Sequence, residues 1–229
     1  MRILAIETAT DVSSVALFED GHLVALQENH ANRTHARLVT VMIDRMLHDL
    51  ELRPTDLSAV SVAKGPGSYT GLRVGVSVAK GLCMALDIPL LSVGSLEALA
   101  WSVTELAQAL DADICAMIDA RRMEVFVQEF DPQGNPMTQP AALVVEDGAF
   151  GEWLQRRKVI FVGDGAEKCR AILGNHRNAI ILGKSLSSAA NMGAWATQRL
   201  VESELEDLVT FEPFYLKEFV ATLSKKKIL

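Results

Sequence analysis

Lys64-Gly65-Pro66-Gly67-Ser68-Tyr69-Thr70-Gly71-Leu72-Arg73-Val74-Gly75 is the stretch that decides the reading of this chain. It follows a short apolar run, Ala59-Val60-Ser61-Val62-Ala63, which reads as a buried strand. It opens a segment over residues 72–86 in which isolated glycines are the only helix breakers. Strand, glycine-rich turn and helix, in that order, place unpaired backbone N–H groups and the positive end of a helix dipole at the turn. Two readings follow. Either the turn receives an anion such as phosphate, or it needs its glycines only for positive φ in a tight strand-to-helix turn. A P-loop is excluded, because the run lacks the Gly-Lys-Ser/Thr ending.

Upstream, residues 3–8, 14–18 and 23–27 are short apolar or alternating runs, and Asp20-Gly21 between the last two signals a two-residue hairpin. Thr34 can cap a helix over residues 35–50. Its apolar residues form two adjoining stripes, Val39, Ile43, Leu47 and Leu50 beside Leu38, Val41, Met42 and Met46. A lone surface helix needs only one covered face. The helix after the glycine turn has one narrow polar row, Arg73, Ser77 and Lys80, continued by Met84, while Gly71, Gly75, Ala79 and Gly81 keep its surface small. Two wide apolar helices exceed what one sheet face hides, so the pair is expected to dock onto another subunit through Leu38, Met42, Met46, Arg73, Ser77, Lys80 and Met84. A carboxylate at Met46 is then expected to weaken that contact. Burial of both helices within the chain's own sheet is the alternative.

Downstream, a strand starts at Pro89 and a helix is expected over residues 94–110. Strands over 114–118 and 124–130 flank the turn Asp119-Ala120-Arg121-Arg122, and residues 131–136 form a loop. A strand over 159–162 leads into Gly163-Asp164-Gly165-Ala166, and a long helix is expected over 187–205. No internal repeat shows. The division is placed at residue 105, giving lobes 1–105, with a mixed sheet and the partner-binding helices, and 106–229.

Gly65-Pro66-Gly67-Ser68-Tyr69-Thr70-Gly71-Leu72-Arg73, followed by Ala79-Lys80-Gly81-Leu82, resembles the signature of the bacterial TsaB (YeaZ) family. Arg33-Thr34-His35, the Asp119–Phe126 segment and Glu212-Pro213-Phe214-Tyr215-Leu216 resemble further motifs of that family, except that Lys217 stands where an arginine is usual. A bidentate contact would be lost there while the charge is kept. The resemblance implies an α/β, two-lobed fold of the actin-like ATPase (sugar kinase/Hsp70/actin) superfamily. It further implies a non-catalytic subunit that binds TsaD, helps recruit the ATPase TsaE, and meets tRNA only through the complex that makes threonylcarbamoyladenosine at position 37. Alone, the chain is expected to pair with a second copy. An independent kinase or peptidase of this fold, or a purely self-associating protein, are the other classes.

The same resemblance sets expectations for chemistry. Glu7-Thr8-Ala9-Thr10 sits where the superfamily places an acid and a phosphate loop, but the acid is one methylene longer than the usual aspartate, and Ala9 replaces a glycine. Gly163, Asp164 and Gly165 fall at the adenosine-contacting turn, where a carboxylate is unfavourable; the other reading is a plain strand-to-helix turn. Together these residues imply a degenerate nucleotide cleft, with no tight binding by the chain alone and ATP or ADP only at an inter-subunit site. TsaD carries a metal-binding His-x-x-x-His, whose two positions fall here on Ser95 and Leu99. Leucine cannot bind a metal, so no metal centre or catalytic residue is expected. Asp119 and Arg121 are read either as a pair across the turn or as contacts to a partner.

Composition bounds the rest. The chain has 229 residues, 49% hydrophobic and 22% charged, a globular profile. No run has the length of a membrane span and no signal peptide is evident, which with the family implies a cytoplasmic protein. Cys83, Cys115 and Cys169 are too scattered for a metal pair and read as reduced core residues. His30 and His35 are five apart, a poor ligand spacing. The net charge of −7 opposes independent RNA binding, and Ser224-Lys225-Lys226-Lys227 reads as a solvated tail, with an RNA contact as the other reading.

Overall fold

Strand β1 (Arg2–Glu7) runs through the middle of the first sheet, hydrogen-bonded to β2 (Ser13–Glu19) on one side and β4 (Ala59–Gly65) on the other. The sheet is completed by β3 (His22–Asn29) and β5 (Leu90–Gly94), in the order β3-β2-β1-β4-β5. The computed structural model describes residues 1–30, 35–174, 176–183 and 187–217. The expected Thr34 cap, Arg33 and the lysine tail lie outside them.

The expected hairpin closes through Asp20 and Gly21, both at positive φ, as a two-residue turn of matching twist requires. Because β1, β4 and β5 are covered on both faces, their sequences are nearly unbroken apolar runs rather than alternating ones. Helices α1 (His35–Asp49) and α2 (Tyr69–Leu86) cover one face. Helix α3 (Ser95–Trp101), a 3-10 turn at Ala189–Asn191 and a C-terminal helix described below cover the other.

The second sheet contains β6 (Ala112–Asp119), β7 (Glu124–Phe130), β8 (Ala141–Val144), β9 (Lys158–Val162) and β10 (Ala179–Leu182), ordered β10-β9-β6-β7-β8. Each sheet has two parallel neighbours on one side of its first strand and two antiparallel ones on the other. One topology is therefore used twice, although no repeat survives in the residues. Helices α4 (Thr104–Leu110), α5 (Gly151–Arg156), α6 (Asp164–Lys168) and α7 (Arg170–Leu173) complete this half.

Four expectations need correction. The single helix over 94–110 is two, because the chain turns at Ser102 and Val103, where the Ser102 hydroxyl donates to the Leu99 carbonyl at 2.6 Å. The long helix over 187–205 shrinks to α8 (Gly193–Val201). Gly193 lies so close to the Phe18 ring that only a residue without a side chain fits, and Ser203, at φ 59, turns the chain away at the other end.

Met42 and Met46, expected at an interface, are only 8% and 1% exposed and belong to the core under α1. Helix α1 packs against β2, β3 and α2 at once, so its wide apolar face is hidden within the chain. Finally, residues 187–214 pack on the first sheet and its helices, and only Leu216 and Lys217 return to the second. Helix α8 packs on β1 and β5, and Arg199 donates to the Ser92 carbonyl and pairs with Glu97 at 3.1 Å. A division into lobes 1–105 and 106–229 therefore does not describe the packing of this C-terminal part.

Candidate functional site

The glycine turn leads from β4 into α2. Its backbone is pressed against residues 8 and 9. The Ser68 N–H donates to the Ala9 carbonyl at 2.6 Å, and the Thr8 hydroxyl donates to the Gly71 carbonyl at 2.8 Å. Ser68 caps the helix by accepting the Gly71 N–H at 3.3 Å, while the Leu72 N–H reaches the Ser68 carbonyl. A side chain on Gly67 or Gly71 would run into the backbone of Ala9 or Thr8. These glycines serve close approach between two strand ends.

Glu7, at the end of β1, is completely buried. One of its oxygens accepts the Ala9 N–H at 2.6 Å and the other accepts the Ser187 hydroxyl at 2.5 Å. Burial pushes its carboxyl above the ordinary range against the pull of those bonds. Both oxygens are thus engaged in hydrogen bonds within the protein.

Across the cleft, Asp164 opens α6 and accepts the Asp119 N–H at 2.9 Å. Burial raises its pKa, and the nearby carboxylates of Asp119 and Asp11 push the same way. Gly163, at φ 111, is crowded by the Met117 carbonyl and the Leu99 side chain. Ser95 and Leu99 are both buried in α3, and the Ser95 hydroxyl has no hydrogen-bond partner among the described residues. Among the described residues no cluster of His, Cys, Asp and Glu could hold a metal ion. Asp119 pairs with Lys168 at 2.6 Å rather than with the Arg121 side chain.

The outer side of α2 is different. Tyr69, Thr70, Arg73, Val74, Ser77 and Val78 line an open groove of about 460 Å³. Its long edge continues through exposed Gly81 and Met84, and Val41 of α1 is also exposed. A side chain at Gly81 would meet nothing within 4 Å. Of the residues expected at an interface, Arg73, Ser77 and Met84 are exposed, Leu38 and Lys80 are half-buried, and Met42 and Met46 are internal.

The chain as a whole is similar to known proteins. A family model described as TsaD, tRNA N6-adenosine threonylcarbamoyltransferase, matches residues 27–224. The tRNA threonylcarbamoyladenosine biosynthesis protein TsaB of Escherichia coli K12 is 31% identical over 227 residues, 96% of each chain. The Bacillus subtilis TsaB is 35% identical over 170 residues, 71% of each chain. The chain belongs to the TsaB (YeaZ) family. YeaZ from Pseudomonas aeruginosa superimposes with a TM-score of 0.79 at 25% identity, over 94% of this chain and 99% of that one. The activator of 2-hydroxyisocaproyl-CoA dehydratase from Clostridium difficile matches with a TM-score of 0.54 at 12% identity, over 89% and 97% of the two chains. That match supports the actin-like ATPase fold alone.

Within this TsaB-family chain, two motifs distant in sequence meet in space. Arg73 lies over the Tyr69 ring, 4.2 Å from its centroid, and its Nε donates to the Tyr215 hydroxyl at 3.1 Å. The Tyr69 and Tyr215 rings are 4.9 Å apart. Lys80 donates to the carbonyls of Val209 and Phe211. The polar row of α2 thus holds the C-terminal segment as well as facing solvent. Sequence reasoning missed Tyr69 and Tyr215 as partners, although both stand inside the recognised motifs. No helix among the described residues is long and apolar enough to cross a membrane, and Cys83, Cys115 and Cys169 are free and buried.

Proposed function

We propose that this chain is a non-catalytic, cytoplasmic subunit of the assembly that transfers a threonylcarbamoyl group to adenosine 37 of tRNA. The observation that carries the reading is Leu99. By the family resemblance it falls at the position of a metal-binding histidine in the catalytic relative, and it packs in the core against Gly163. A centre able to polarise the reacting carbonyl has no ligand to start from there. The chain's contribution is then a surface, and the open groove along α2 is the one taken here. A TsaD homologue docks there by its own helix pair, and the assembled pair recruits a TsaE homologue. Without that partner a second copy takes its place, since similar helix faces are self-complementary about a two-fold axis. Nucleotide, where the assembly uses it, is held between subunits, because Glu7 and Asp164 leave no site within this cleft. The tRNA is reached through the complex, in keeping with the net charge of −7.

The test uses the purified chain and the same organism's TsaD homologue, separately and mixed. Sedimentation is expected to show a self-associated species alone and a heterodimer on mixing. Transfer to tRNA is expected only in mixtures containing the TsaD homologue. Modification of tRNA by this chain alone, or no complex on mixing, would overturn the reading.

A further inference from the structure

Residues 206–217 have no regular secondary structure, yet they are fixed at successive points across both halves of the molecule. The Glu206 N–H donates to the Leu90 carbonyl at the edge of the first sheet, and its carboxylate accepts from Ser92 at 2.5 Å. Phe211 enters the core beneath α1 and α2. The Phe214 N–H donates to the Lys64 carbonyl at 2.7 Å, and Gly65 fits beneath this crossing only because it has no side chain. Tyr215 then meets Arg73 and Tyr69, two of the groove-lining residues. The next residue, Leu216, packs into the core of the second sheet. Lys217 pairs with Glu124, at the start of β7, at 2.5 Å.

We infer that residues 206–217 are a strap linking occupancy of the α2 groove to the placement of the second sheet. The inference rests on the reading of that groove as the partner surface. Coupling between two places needs one element that contacts both and responds to each. Here the groove contact at Tyr215 and the second-sheet contacts at Leu216 and Lys217 are adjacent. Three residues span at most about 11 Å when fully extended, so the chain after Phe214 has little slack. A displacement of Glu124 is transmitted to Tyr215 and thence to the Arg73 guanidinium stacked on Tyr69. By reciprocity, a partner that fixes Arg73 and Tyr215 also favours one placement of the second sheet.

Lys217→Glu sets two carboxylates against each other outside the groove, at a half-exposed position that the core does not need. Hydrogen exchange on the variant alone is expected to speed up within residues 206–216 and 69–78, with β1 and β4 unchanged. Affinity for the TsaD homologue is expected to fall by about two- to fivefold, the scale of one lost exposed ion pair. Adding Glu124→Lys restores the pair in reverse and should bring back both exchange rates and affinity. Unchanged exchange in residues 69–78, or a double variant that stays as loose as the single, would overturn the strap. If the wild-type chain binds no TsaD homologue, the proposed function fails, while the exchange data still decide the coupling.

Discussion

Leu99 stands where a side chain on Gly163 would have to go: a Cβ added to that glycine would lie 2.6 Å from the Leu99 Cδ2. The contact closes α3 onto the turn before α6, joining two elements that flank the cleft. It makes Leu99 a packing residue whose loss the fold should register strongly. Leu99→His replaces a buried leucine by a polar ring among apolar neighbours. A cost of about 2–5 kcal/mol is expected in urea unfolding. Ser95→Ala, one turn earlier, should be neutral or slightly stabilising, because the buried Ser95 hydroxyl has no partner to lose. A stable, metal-binding Ser95→His/Leu99→His double variant would contradict this account.

Gly81 tests the docking face without disturbing the core. It is exposed within α2 and has open space around it, so Gly81→Arg should leave the fold intact. Helix propensity should even add up to about 1 kcal/mol. On the proposed docking face the same arginine is an obstruction. Sedimentation should show weakened self-association and weakened binding to the TsaD homologue, with the circular dichroism spectrum unchanged. A variant that assembles as well as wild type would move the interface elsewhere.

Met46→Asp should behave in the opposite way. Met46 is 1% exposed in the core between α1 and the first sheet. A carboxylate there lacks both water and a cationic partner, which costs several kcal/mol. The variant is expected to unfold or to melt far below wild type, so lost assembly would report lost folding. A well-folded variant with a wild-type melting temperature would contradict the buried placement.

Sequence reasoning located the first sheet well, because covered strands carry unbroken apolar runs and Asp20-Gly21 specifies its own turn. It misjudged α1 because periodicity shows how wide an apolar face is, not what covers it. Val39, Met42, Ile43, Met46 and Leu47 are all internal since β3, β2 and α2 wall the helix together. The helix break at Gly193 depends on Phe18, some 175 residues away, which no local window contains. At the cleft, the unusual residues were visible as Glu7, Ala9 and Asp164, but not the Ser187 hydroxyl that occupies Glu7. Lys80 could be placed on a polar row; its use as a clamp on the Val209 and Phe211 carbonyls needed the tertiary structure.

Nucleotide affinity offers a direct measurement. Glu7 is engaged on both oxygens, Ala9 backs onto Gly67, and Asp164 lies near Asp119 and Asp11. Calorimetry of ATP with magnesium against the chain alone should give no binding as tight as about 1 μM, or −8 kcal/mol. Micromolar affinity or better would refute the degenerate cleft.

Glu7→Gln should change how stability depends on pH. Burial raises the Glu7 pKa above its ordinary value of 4.5 in the folded state. Below the unfolded value both states hold the proton and Glu7 adds no penalty. As pH rises from the unfolded value to the folded one, the unfolded state has released its proton while the folded state still holds it, so stability falls. Asp164 and Glu129 are raised by burial too and act in the same direction. The lowered carboxylates Asp20, Asp56 and Asp207 add nothing to the slope between pH 5 and 8, being ionised in both states there. A glutamine can still accept the Ala9 N–H, and its amide can donate to the Ser187 hydroxyl. The variant should therefore lose less stability than wild type as pH rises above about 4.5, and its advantage should level off once the folded Glu7 has ionised. Urea unfolding at unit pH intervals measures this, and parallel curves for the two proteins would show that Glu7 does not titrate differently on folding.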